Sequence, residues 1–174
     1  MLNIFINTWG NYNENGADGG EWVTLPMTEE ELENTLQQIA DNMGDLDPEF
    51  CIHDYEWTSE IEPRDIDENE NIMDLNEEIN ELNDLDEWDQ KEIAAAMEAF
   101  DYSFTEAMDR QQRGYFTFYA GMDLSEVAEE IINDCYFTKD TPDIFTRYFD
   151  FEAFGRDLRF DGYTETSYGV IIDG

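Results

Sequence analysis

LNIFINTW at 2–9, EWVTLP at 21–26 and FCIHDYEW at 50–57 decide how the first third of the chain folds. Leu2, Ile4 and Ile6 alternate with Asn3, Phe5 and Asn7, the period of a strand with one buried face. Between the first two stretches, NYNENGADGG at 11–20 predicts a turn, because Asn, Asp and Gly tolerate positive φ. Pro26 ends the second strand. Thr28 followed by Glu31 has the spacing of a capping box. Leu32, Leu36, Ile39 and Met43 then recur at helical intervals up to Gly44. With FCIHDYEW as the third strand the order is ββαβ, a small α+β unit over residues 1–61.

Outward from this unit, residues 60–72 are polar and include Pro63 and DIDENEN at 65–71, the composition of a boundary. Leu75, Ile79 and Leu82, then Ile93, Met97 and Phe100, then Phe104 and Met108 mark three short amphipathic helices. They predict a helical middle domain over 62–112. YFTFYA at 115–120 returns to strand character. Asp123 and Glu126 have capping-box spacing and open a helix whose buried face is read as Val127, Ile131 and Cys135. Two short helices follow, from Pro142 and over DFEAFGRDL at 150–158, where Gly155 weakens the helical pattern. Tyr168–Ile172 reads as a last strand. Residues 113–174 are thus a second α+β domain, and the fold class is α+β in three successive domains.

Charge sets the functional question. The 174 residues hold 45 Asp and Glu against 8 Lys and Arg, a formal net charge of -37. The first Lys or Arg is Arg64. Net charge is -15 over residues 1–63 (15 acidic, 0 basic) and -13 over 64–103 (15 acidic, 2 basic). Over 104–174 it is -9 (15 acidic, 6 basic), so this is not an acidic tail. Self-repulsion on this scale opposes compaction and favours an elongated chain. Aromatic residues at 14% and hydrophobic residues at 41% nevertheless supply a core, which argues against disorder. A basic nucleic-acid-binding surface is excluded, as is attraction to an acidic membrane, so the expected partner is basic. With no apolar run of membrane-spanning length and no signal-peptide pattern, the expected location is cytoplasmic. B-form DNA carries one negative charge per ~1.7 Å of axis, so this many carboxylates match about 77 Å of duplex, or roughly 22 base pairs.

Individual motifs carry less. Asp65, Asp67 and Asn69 resemble the start of a calcium loop, but Glu70 stands where the turn needs Gly and Asn76 where a bidentate Glu is needed. His53, the single histidine, lies beside Asp54 without a nucleophile motif and is read as structural. Cys51 and Cys135 are read as buried free thiols. No catalytic residue, metal site or cofactor is expected. A halophilic surface is the competing explanation of the charge; it predicts folding only at molar salt, whereas a DNA mimic folds at ordinary salt and loses its partner as salt rises.

The chain also resembles a known family. FINTWGNYNENG at 5–16 and GEWVTLPM at 20–27 resemble the opening of the ArdA antirestriction proteins. CIHDYE at 51–56 is similar to their Ile-His-Asp-Tyr-Glu segment, and YFDFEAFGRDLRFDGY at 148–163 to their C-terminal motif. The resemblance implies an elongated, three-domain homodimer that imitates bent B-form DNA. It implies occupation of the DNA groove of Type I restriction–modification enzymes, the methyltransferase core with its specificity subunit, by a non-enzymatic inhibitor. Such proteins are carried by plasmids, transposons and phages. Another basic DNA-binding protein, such as a CRISPR effector or a nucleoid protein, is the alternative target. On the predicted polar faces, Glu29, Glu30, Glu33, Asp67, Glu68, Glu77, Glu78 and Glu81 are the candidate contact acids. His53, Arg156 and Asp157 are expected to hold the fold. The family's C-terminal dimer contact makes Tyr115, Phe116, Phe118 and Tyr119 the candidate interface.

Overall fold

A computed structural model describes Met1–Gly174. It is a mixed α+β chain with two three-stranded antiparallel sheets. Packing groups the residues into two compact units, Met1–Asp86 and Glu87–Gly174. The helices of the middle third are therefore shared between the units, whereas the sequence reading grouped them together.

In the first unit, β1 (Leu2–Thr8) lies between β2 (Glu21–Leu25) and β3 (Phe50–Trp57). Its inner face carries Leu2 and Ile4, whose cross-strand partners include Leu25, Val23 and Trp57, all buried. The segment expected as a turn starts with a helix, α1 (Trp9–Asn15). Its frame is a polar ladder that hydropathy does not register. Thr8 caps it by accepting from the Asn11 amide, Asn11 donates to Asn7 at 2.9 Å, and Asn15 donates to Asn11 at 2.9 Å. The buried Asn7 also donates to the Gly16 carbonyl at 3.2 Å, closing the loop on the strand.

α2 (Glu29–Met43) has the predicted capping box at Thr28 and Glu31, buries Leu32 and Ile39, and ends at Gly44 in the left-handed conformation. Such a cap stabilises a helix by about 1 kcal/mol. α3 (Ile72–Asp84) buries Leu75, Ile79 and Leu82. Asn76, also buried, accepts from the Met27 amide and donates to the Met27 carbonyl, both at 2.9 Å. The polar side chain thereby ties α3 to the backbone leaving β2.

In the second unit, α4 (Glu87–Phe100) and α5 (Phe104–Gln112) precede β4 (Phe116–Ala120). α6 (Leu124–Cys135), α7 (Asp143–Tyr148) and α8 (Phe151–Leu158) follow, then β5 (Thr164–Thr166) and β6 (Gly169–Asp173). β6 is central, between β4 and β5. α6 carries the predicted capping box at Asp123 and Glu126. Its buried face is Leu124, Val127, Ala128 and Ile132; Cys135 is exposed, not buried as expected, because it falls beyond the last turn that meets the core. Gly155 has a packing reason: a Cβ there would lie 2.6 Å from the Leu124 carbonyl oxygen. Its absence lets α8 approach the start of α6 closely, and Leu124, Val127, Ala128, Leu158 and Val170 form the core there.

Candidate functional site

The acids of the first unit sort by what holds them. Glu29, Glu30 and Glu33 on α2 are exposed, as are Glu77 and Glu81 on α3. Glu31, next to them in sequence, is occupied by its cap. It accepts from the Thr28 hydroxyl at 2.8 Å and the Thr28 amide at 3.1 Å, which hold its carboxyl below the usual value. Asp67 and Glu68 are exposed on the loop between β3 and α3. That loop is anchored by its backbone: the Ile52 amide donates to the Glu68 carbonyl at 2.9 Å. Asp67 itself accepts from the Asn69 amide at 2.8 Å.

Glu78 differs from the other candidates. Arg64 donates to it through Nε and Nη2, both at 2.8 Å, and grips Glu70 with Nη1 and Nη2. Burial works against the Arg64 charge, but the hydrogen bonds and charges of Glu78 and Glu70 overcome it and raise the guanidinium pKa. Glu78 is thus a structural partner whose side chain is only 16% exposed. The same arrangement explains the calcium-like loop, where Glu70 turns toward Arg64. No group of three or more His, Cys, Asp or Glu is placed to hold a metal ion.

His53 and Asp54 do not pair. β1 and β3 change register between Phe5 and Ile6, where Phe5 faces Asp54 and Ile6 faces Ile52, leaving His53 as the extra residue of a bulge. The imidazole packs 4.0 Å from the Tyr12 ring and 5.9 Å from Trp9, with Nε2 3.5 Å from the Cys51 sulfur. Burial, assisted by the Glu68 charge, pushes the Cys51 thiol up to about 11, so it stays protonated and unreactive at neutral pH.

In the second unit the aromatic residues of β4 are largely spent internally. Phe118 is buried, with its ring 5.5 Å from Trp88. Phe116 stacks on Phe100 and Tyr102, and Tyr119 meets Tyr163 at 6.3 Å. Tyr115 alone of the four is exposed. Arg156 and Asp157, expected to hold the fold, are exposed on α8.

The open apolar surface lies elsewhere, between the end of α6 and α7. A groove of about 760 Å³ is lined by Ile132, Tyr136, Phe137, Ile144, Phe145 and Tyr148. Tyr136, Ile144, Phe145 and Tyr148 are each more than 60% exposed. The signal available in sequence was the density of large apolar residues in IFTRYF at 144–149, more than a six-residue helix can bury.

A strongly acidic first unit and an open apolar groove on the second define an acidic α+β protein. The family described as antirestriction protein (ArdA) matches residues 4–172. The chain belongs to the ArdA antirestriction family. Membership implies an antirestriction function, exercised as an inhibitor that interacts with restriction–modification enzymes. No curated protein matches the chain. No helix is long and apolar enough to cross a membrane.

Proposed function

We propose that this protein inhibits Type I restriction–modification enzymes by imitating B-form DNA and occupying the groove of the methyltransferase core and its specificity subunit. One observation carries this reading. Residues 1–86 hold 25 Asp and Glu against a single Arg, and that Arg is bound to Glu70 and Glu78. The remaining acids therefore present a field with no cation of their own to offset it. Glu29, Glu30, Glu33, Asp67, Glu68, Glu77 and Glu81 stand in for phosphates. Glu78, held by Arg64, is not among them. Attraction spreads over many carboxylates and is driven by steering and by release of the anions that otherwise screen the enzyme's basic groove.

A homodimer joined through the second unit belongs to the same reading. The apolar groove beside α7 suits a second chain better than β4 does, since Phe118 is buried.

Competition tests the proposal. A purified Type I methyltransferase core is incubated with excess cognate duplex before the protein is added. Inhibition slows in proportion to duplex occupancy if both use one groove. A ternary complex with duplex and protein both at full affinity would falsify mimicry.

A further inference from the structure

The outer face of the first sheet is open: Trp22, Thr24, Asp54 and Glu56 are exposed, and Asn3 and Phe5 between them are half-buried. The register places Trp22, Phe5 and Asp54 in one row across the three strands and Thr24, Asn3 and Glu56 in the next. The Thr24 hydroxyl donates to Asn3 Oδ1 at 2.7 Å, so these side chains share one face. Trp22, near the start of the edge strand β2, is 53% exposed, and Asp54 and Glu56 are exposed.

The platform is built rather than incidental. Phe5 lies 5.4 Å from Trp22, tilted by 53°. A Cβ at Gly20 would fall 2.6 Å from two Phe5 ring carbons, so only glycine leaves room for that ring against the backbone. Phe5 in turn backs the indole from the centre of the sheet. The result is an aromatic surface on β2 and β1, with two carboxylates on β3 across the same face and no Lys or Arg nearer in sequence than Arg64, which faces Glu70 and Glu78.

We propose that this sheet face is a docking surface for a basic protein partner, in which one arginine or lysine side chain lies over Trp22 on β2 while Asp54 and Glu56, two strands away on β3, receive further cations of the same partner. The commitment to a cationic occupant follows from the chemistry of the face. A tryptophan ring attracts a cation through its quadrupole, and carboxylates elsewhere on the same face favour a partner that carries several cations. An acidic or uncharged partner would gain nothing from Asp54 and Glu56. Tryptophan is also among the residues on which interface affinity concentrates. The proposal deepens the inhibitor reading by assigning an affinity centre to a surface that charge imitation alone treats as uniform.

The test uses the full chain and two probes, a purified Type I methyltransferase core and a synthetic arginine-rich peptide. Trp22→Leu keeps an apolar side chain without a π face, and Trp22→Phe keeps a ring. Circular dichroism of each variant checks the fold. Trp22→Leu is expected to weaken binding of both probes about tenfold with the salt slope unchanged, because the lost contact releases no ions. Trp22→Phe restores most of the loss. Asp54→Asn is expected to lower the salt slope by about one. Folded Trp22→Leu protein binding both probes as tightly as wild type overturns the docking surface. Loss of peptide affinity with a methyltransferase core that wild type fails to bind retains the surface and removes the Type I target.

Discussion

Arg64, the first cation in the chain, holds Glu78 on α3 in a two-pronged contact, with both N–O distances at 2.8 Å. The same guanidinium reaches Glu70 in the preceding loop, so one cation joins the loop to the helix. Without it, Glu70 and Glu78 would face each other unpaired. Arg64→Ala is therefore expected to destabilise the first unit by about 2–3 kcal/mol, less than a fully buried pair because all three groups keep some solvent contact. Arg64→Lys recovers little, since an ammonium cannot span two carboxylates in this planar geometry. Urea denaturation followed by circular dichroism measures both. A change under about 0.5 kcal/mol for Arg64→Ala would show that the cluster is only a surface pairing.

Glu92 on α4 is partly buried, and that burial, with the neighbouring Asp89 charge, raises its carboxyl pKa although Gln111 opposes the shift. A carboxyl whose folded pKa lies above its unfolded value contributes stability at low pH and loses it as pH rises through the folded value. At neutral pH Glu92 is thus a net cost. Glu92→Gln is expected to raise the melting temperature at pH 7, with the gain vanishing below about pH 4, where the wild-type carboxyl is protonated in both states. Scanning calorimetry at the two pH values reads the difference, and an equal gain at both would assign it to packing.

Much of the fold is legible in the sequence. The capping boxes at Thr28–Glu31 and Asp123–Glu126 fix two helix starts to the residue, because they need only local backbone geometry. α1 is not legible, since its stabilising contacts join polar side chains that in sequence spell a turn. β5 escapes because three residues, Thr164–Thr166, carry no usable period. In the candidate site, charge gives the sign of the surface but not which acids are spent. Glu78 meets its partner fourteen residues away across a loop. Phe118 looks available because nothing in strand alternation reveals Trp88 above it.

Asn7 is fully buried and joined to Gly16, Asn11 and the Thr8 amide. Asn7→Ala leaves the Gly16 carbonyl and the Asn11 amide without this partner and is expected to cost about 2–3 kcal/mol. Because the contacts are local to the β1–β2 connection, amide exchange should accelerate first over residues 9–20. Uniform acceleration across the unit instead would mean that the ladder is coupled to the whole core.

The last prediction concerns assembly. Phe118→Asp buries a carboxylate against Trp88, so it is expected to unfold the second unit rather than merely separate the protomers of a dimer. Phe145→Asp places its charge in an already open groove, where the folded chain tolerates it but a second apolar surface does not. Sedimentation at micromolar protein and moderate salt should show wild-type dimers, folded Phe145→Asp monomers and loss of ordered structure in Phe118→Asp. Folded Phe145→Asp dimers would move the contact away from α7. Folded Phe118→Asp monomers would return it to β4, and the exposed Tyr115 on the same stretch would become the next residue to charge.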